Sequence, residues 1–176
     1  MFHVKHLEET MEQIDIYDQY ENKTGKICDR GIKMLDGEYQ LIVTVWTVNH
    51  NKKLLITQRD PNKDFYGSYW ECTGGAVIAG ENQLEAAKRE LQEETGIEAD
   101  ISQFQLFDKR FIGENIYYSY ILHYDFCLND ILLQKGETVS AALVDLNELE
   151  DMYNHNQFIP VLWPLFNQET KEYIFK

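Results

Sequence analysis

Residues 75–97 read GAVIAGENQLEAAKRELQEETGI, and this stretch decides both the fold and the chemistry. Ahead of it, Trp70-Glu71-Cys72-Thr73 reads as a strand running into Gly74-Gly75, a backbone position that glycine fits best. Asn82-Gln83-Leu84-Glu85 then has the form of a capping box, with Asn82 as N-cap and Glu85 reaching back from N3. Glu81, just before the cap, suits the positive end of the helix dipole. Gly96 follows the last turn as a C-terminal glycine cap. The segment 82–95 is therefore predicted to be a helix with both ends marked.

At about 100° per residue this helix separates two faces. Leu84, Ala87 and Leu91 share one stripe, which would pack on a sheet. Glu90, Glu93 and Glu94 share the neighbouring stripe at spacings of three and four, where side chains lie side by side. Like charges so placed repel by about 0.2–0.5 kcal/mol per pair. A bound cation reverses that penalty, because carboxylate oxygens are natural ligands of Mg²⁺ or Mn²⁺. A solvated acidic face is the plainer reading of a glutamate-rich helix. Here, however, the carboxylates border the apolar stripe, and a glycine turn leads straight into them.

The run matches the Nudix box, G-x5-E-x7-R-E-U-x-E-E-x-G-U with U aliphatic, at every defined position; Leu91 and Ile97 fill the aliphatic places. The chain thus resembles a Nudix hydrolase. The resemblance implies hydrolysis of a nucleoside diphosphate linked to another group, or of a similar small phosphorylated metabolite. It also implies an α/β (α+β) architecture, an α/β/α sandwich with a mixed sheet between helices. By the same resemblance Glu90, Glu93 and Glu94 look like metal-binding and base-supplying carboxylates. Arg89 looks like the residue that orients them, and the Gly74 carbonyl like a further metal contact. Which glutamate acts as base stays open. The implied chemistry uses the cation to neutralise the diphosphate and a carboxylate to take the proton of the attacking water.

Composition sets outer limits. The 176 residues suit one domain, and 44% hydrophobic content with 13% aromatic residues argues against disorder. A net charge of −14 disfavours nucleic-acid backbones and anionic membranes as partners. A phosphorylated small molecule remains compatible, since bound metal supplies local positive charge. Cys28, Cys72 and Cys127 are odd in number and lack C-x-x-C spacing, so free thiols in a reducing, cytoplasmic setting are expected. No apolar run is long enough to span a membrane, and residues 1–10 lack a signal-peptide core. Met11 reads as an alternative start, which would leave 1–10 as a mobile extension of a single domain at 11–176.

Along the chain, Gln13–Tyr17 and Ile27–Arg30 read as short strands around a turn at Asn22-Lys23-Thr24-Gly25. Tyr39–Asn49 is a strand, and Lys53–Arg59 is expected to pair with it as a hairpin across His50-Asn51. Strands are predicted at 102–113 and 116–127, divided by Gly113-Glu114, and at 139–144, followed by a helix at 146–153. A last helix is placed at Trp163–Gln168 with Pro164 in its first turn. Pro160 is placed in the preceding loop, because a helix begun there would carry Pro164 inside it.

The flanks suggest a subgroup. Asp15-Ile16-Tyr17-Asp18, Thr24-Gly25, Arg30-Gly31, Trp46, Gln58-Arg59 and Trp70–Gly75 resemble Nudix proteins similar to isopentenyl-diphosphate isomerase. That raises a non-hydrolytic rival, an isomerase using a metal and a cysteine. In alignment, though, the isomerase cysteine falls on Gly74 and its histidine on Ala76. Cys72 lies two residues early, roughly 6–7 Å back along an extended chain. An inactive nucleotide-binding module is the other alternative, and the intact carboxylate set argues against it.

Outside the box, Glu137 in Gly136-Glu137-Thr138-Val139 aligns with a glutamate that lies near the metals in many relatives, against a plain reading as a solvated loop residue. Arg59 ends a strand and is a candidate phosphate contact, against a plain reading as a surface ion pair. Trp46, Phe65, Tyr66 and Trp70 are each able to stack on a base; Trp70 joins Arg59 as the substrate-binding candidates. His50, His123 and His155 lack ligand spacing. The resemblance allows a homodimer, although the sequence marks no interface.

Overall fold

The computed structural model describes residues 11–166 and 168–175. The proposed extension at 1–10 lies outside the described residues. The centre is a mixed sheet built on β3 (Gln40–Val48), whose run of apolar and β-branched residues is buried on both faces. One edge of β3 runs parallel to β8 (Asn115–His123) over its whole length. β8 in turn pairs antiparallel with β7 (Gln105–Ile112). Alternation along β3 sends Leu41, Val43 and Val45 to one face and Trp46 and Val48 to the other.

The other edge of β3 is divided. β3 meets β4 (Leu54–Arg59) only at Val48 and Leu54, while β9 (Thr138–Val144) pairs along the whole of β4 on its other edge. Two short strands take the places left by this divergence. β5 (Trp70–Glu71) pairs with β4, and β6 (Thr73–Ala76) pairs with β3 at Ile42–Val45. The expected long hairpin of 39–49 with 53–59 is therefore corrected to a hairpin at its turn only. Local signals specify that turn, where Asn49 Oδ1 accepts from the amides of Asn51 and Lys53 at 3.0 Å. They do not reveal that β6 claims the edge of β3 beyond it.

Helix α1 (Gln83–Thr95) has the expected caps. Asn82 Oδ1 accepts from the amides of Leu84 and Glu85 at 3.0 Å, the Glu85 carboxylate accepts in return from the Asn82 amide, and Gly96 closes the helix at φ +73°. Ala86, Ala87 and Leu91 are buried against Leu41, Val43 and Val45. Small alanines let the helix approach the sheet closely, and burial of Leu91 contributes about 1.5–3 kcal/mol. The opposite face is covered by α2 (Leu146–Asn154), a 3₁₀ segment at Pro160–Leu165, and α3 (Gln168–Phe175), around Trp46, Ile56, Leu149, Phe158 and Leu165. Trp46 stacks on Phe166 with centroids 5.4 Å apart. Helix, mixed sheet and helices form the three expected layers.

Three further expectations are corrected. The helix placed at Trp163–Gln168 is instead a 3₁₀ segment beginning at Pro160, with α3 after it. Bonds from the Leu162 amide to the Ile159 carbonyl and from Phe166 to Trp163 bracket Pro164 without needing its missing N–H, so this short segment tolerates an internal proline. The N-terminal turn lies at 18–22, where Asp18 Oδ1 accepts from the amides of Tyr20 and Asn22. Gly25, at φ +81°, marks a bulge within β2 (Lys23–Asp29) where it faces β1 (Gln13–Tyr17). The strands at 102–113 and 116–127 shorten, because Asp100 caps a 3₁₀ turn at Ile101–Gln103 and β8 ends at His123. The β1–β2 ribbon is a separate two-stranded sheet that packs Ile14 and Ile16 on Met34 and Ala76, beside the glycine turn. Among the described residues no helix is long and apolar enough to cross a membrane.

Candidate active site

The loop between β6 and α1 is tied down on several sides. The Val77 amide donates to the Leu41 carbonyl at 3.0 Å, Ala79 to Gln13 at 2.7 Å, and Gly80 to Asp15 Oδ2 at 2.9 Å. The chain therefore enters α1 in a fixed direction, with the glutamate stripe beside the glycines of β6.

Arg89 organises that stripe. Its Nε and Nη2 bind the two oxygens of Glu81 at 2.9 and 3.0 Å as a fork. Nη1 donates to Glu90 Oε1 at 2.8 Å and to Glu93 Oε2 at 3.2 Å, and Nη2 also reaches the Ala76 carbonyl at 3.0 Å. One guanidinium thus links the loop, the glycine strand and two of the glutamates. Glu81 was expected to act on the helix dipole; its place in the fork is a role the sequence reading missed.

The carboxylates occupy different surroundings. Glu93 is half-exposed, whereas Glu90 and Glu94 are both 7% exposed. Burial raises the pKa of Glu90, against the pull of Arg89. Burial raises that of Glu94 further; the nearby Glu71 and Glu90 charges add to the shift, and the Gly74 amide partly offsets it. Glu94 Oε2 is buried without a hydrogen-bond partner. An orphaned carboxylate oxygen is costly unless something arrives to satisfy it.

The glycines are required by contact, since neither Gly74 nor Gly75 adopts a left-handed backbone. A Cβ at Gly74 would lie 2.4 Å from the Val43 carbonyl oxygen, and one at Gly75 would lie 2.2 Å from Glu90 Oε1. Gly75→Ala is expected to displace Glu90 from Arg89, lowering kcat by about tenfold or more and lowering Tm by less than loss of Arg89 itself, since the Glu81 fork remains. A crystal structure of the variant with the Glu90–Arg89 bond intact would contradict this.

Across from α1 stand residues of β4, β5 and the loop before β9. Arg59 Nη1 donates to Glu71 Oε1 at 2.7 Å, and Lys63 pairs with Glu137. Glu71 is 8% exposed, and burial outweighs Arg59 in raising its pKa. Gly74, Arg59, Glu90, Glu93, Glu94 and Glu137 line a single cleft of about 160 Å³, with Arg89 bonded to two of them. Trp70 lies elsewhere: it packs on the core around Phe158 and lines no part of this cleft. Trp70 and Glu71 alternate in β5, so their side chains point opposite ways, Trp70 toward the core around Phe158. Glu12, Arg30, Lys63 and Gln134 also line the cleft, and Glu71 lines a recess beside it; none of the five is picked out by the sequence reading as a site residue. A glutamate inside a strand otherwise destined for burial was the available signal for Glu71.

Among the described residues no three acidic, histidine or cysteine side chains are already gathered as a ligand cluster. The candidate donors are nevertheless all oxygen, lie on one cleft, and include the unpartnered Glu94 Oε2. Carboxylates that are buried with excess negative charge fit a hard cation.

The NUDIX domain family profile matches residues 38–163. The chain is 34% identical over 160 residues to a Nudix hydrolase of Listeria monocytogenes, covering 89% of this chain and 95% of that protein. An isopentenyl-diphosphate Delta-isomerase of Haloarcula marismortui is 27% identical over 99 residues, 56% of this chain and 52% of that one. The crystal structure of DR0079 from Deinococcus radiodurans superposes with a TM-score of 0.73 at 18% identity, covering 94% of this chain and all of that one, a likeness of fold. With the box helix, the glycine strand and the carboxylate cleft in place, the chain belongs to the NUDIX domain family and is a Nudix pyrophosphohydrolase.

Proposed function

We propose that the protein is a Mg²⁺-dependent pyrophosphohydrolase, with Mn²⁺ as the alternative cation, cleaving the diphosphate of a nucleoside diphosphate linked to another group or a similar small metabolite. The observation that supports this reading most is the buried, unpartnered Glu94 Oε2 in a cleft that also holds Glu90, Glu93 and Glu137. Glu90, Glu93 and Glu94, with the Gly74 carbonyl, are the residues proposed to hold the cation, and Glu137 adds a carboxylate from the opposite wall. When bound, the cation supplies charge neutralisation of the diphosphate and polarisation of the attacked phosphoryl group. Arg89 keeps Glu90 and Glu93 in place, so little reorganisation is needed when substrate arrives. A cleft carboxylate takes the proton of the attacking water. Arg59, at the cleft wall, is placed to contact a phosphate oxygen.

Within this reading residues 11–176 act as a single domain, the partner is a small diphosphate, and the setting is cytoplasmic. A homodimer belongs to the same proposal, and sedimentation equilibrium would detect it. The resemblance to isomerases does not extend to a catalytic thiol at the required position. Cys72 is 1% exposed, and burial pushes its thiol well up, away from a thiolate.

A panel of nucleoside diphosphates, sugar nucleotides, dinucleotides and triphosphates tests the activity with and without Mg²⁺. Turnover of at least one class is expected, with loss of about 10³-fold or more on chelation. Calorimetric silence toward Mg²⁺ together with no turnover of any class would sink the reading. Isomerisation of isopentenyl diphosphate would favour the rival enzyme, and retention of a nucleotide without turnover would favour a binding module.

A further inference from the structure

Arg30 follows β2 in the N-terminal ribbon, outside the span matched by the family profile, yet it reaches the cleft. It also lines a second cavity that adjoins the first. This recess, of about 170 Å³, is walled by Ile42, Tyr117, Ile159, Val161 and Leu162 and also lined by Tyr66 and by Glu71, the partner of Arg59. Arg30, Arg59 and Gly74 are shared by both cavities, so the two arginines stand at the junction of an acidic cleft and a largely apolar recess.

Their bonding leaves donors to spare. Arg59 uses Nε on the Phe65 carbonyl at 3.2 Å and Nη1 on Glu71. Arg30 uses Nη1 on Glu12 Oε2 at 2.6 Å, and that pair is about half-exposed on both sides. A guanidinium offers five N–H donors in a planar fork suited to phosphate oxygens. In a chain of net charge −14, arginines at the mouth of a carboxylate cleft also supply the field that admits an anion.

We propose that Arg30, together with Arg59, forms a clamp for the substrate diphosphate at this junction, with the substituent beyond the diphosphate entering the apolar recess. Glu12 holds Arg30 in reserve and is displaced when the diphosphate binds. The N-terminal ribbon is thereby a working part of the site. This inference rests on the diphosphate-hydrolase reading and assigns to it a binding residue.

The test is calorimetric titration of Mg²⁺-loaded protein with methylenediphosphonate, a diphosphate that cannot be hydrolysed. Arg30→Ala is expected to weaken binding about tenfold, and Arg30→Lys to restore part of it. Glu12→Gln is expected to tighten binding about two- to threefold by releasing the competing partner, an outcome that a merely structural Arg30–Glu12 pair would not produce. With the panel substrates, Arg30→Ala should raise KM with kcat little changed. Affinity unchanged in Arg30→Ala, in a wild type that binds the probe, would overturn the clamp and leave the hydrolase reading standing. A wild type that neither binds the probe with Mg²⁺ nor turns over any substrate would overturn both.

Discussion

Replacing Glu94 by glutamine is expected to reduce kcat by about 10³-fold or more while leaving the fold intact. Glu94 lies on α1 and lines the cleft, 7% exposed, with Oε2 unpartnered and with Glu71 and Glu90 close enough to oppose its charge. Such a group is poor packing and a good anionic ligand. Glutamine keeps its volume and its contact with the Gly74 amide but removes the charge a cation requires. Two measurements separate the site from the scaffold. Circular dichroism should match the wild type, and the metal-free Tm should equal or exceed it, because the buried charge opposed by Glu71 and Glu90 is gone. Mg²⁺ at 100 times its Kd should stabilise the wild type by about 2.7 kcal/mol and the variant by little. Full turnover in Glu94→Gln would remove Glu94 from the metal site.

The contrast between α1 and the strands shows what a sequence can reveal. Every determinant of α1 is local: Asn82 and Glu85 at one end, Gly96 at the other, and the Ala86-Ala87-Leu91 stripe between them. The carboxylate cluster was equally legible, because spacings of three and four fix which side chains share a helix face. Strand pairing carries no such local code. Nothing in 39–59 announces that β6 will take the edge of β3 and β5 that of β4 beyond the turn. Glu71, Lys63 and Arg30 were missed for the same reason. Lys63 and Arg30 reach the cleft from the loop after β4 and from the end of the N-terminal ribbon, Glu71 lines the adjoining recess and pairs with Arg59, and only the tertiary fold brings them together. Pro164 misled because the rule against internal proline applies to α-helices and is weaker for a short 3₁₀ segment.

Arg89→Ala is expected to be the most damaging substitution for stability. Five hydrogen bonds converge on this guanidinium, and its side chain is 20% exposed. Its partners Glu81 and Glu90 are more buried still, with side chains 12% and 9% exposed. Removing the cation leaves two nearly buried carboxylates facing each other and an unpaired Ala76 carbonyl. Breaking a buried pair in this way costs about 3–5 kcal/mol, more than the pair itself contributes, because the remaining charge is uncompensated. For a domain of this size the loss corresponds to a fall in Tm of roughly 6–20 °C. Added Mg²⁺ should recover part of it, since a cation among the box glutamates replaces some of the missing positive charge. Arg89→Lys separates charge from geometry. A single ammonium cannot meet both oxygens of Glu81 and also hold Glu90, Glu93 and the Ala76 carbonyl, so its Tm should fall between wild type and alanine while kcat stays low. Thermal unfolding with and without Mg²⁺ and steady-state kinetics on the same preparations check both statements. A Tm within about 2 °C of wild type in Arg89→Ala would show that Glu81 and Glu90 find other compensation, and the fork would then no longer explain how the glutamates are held.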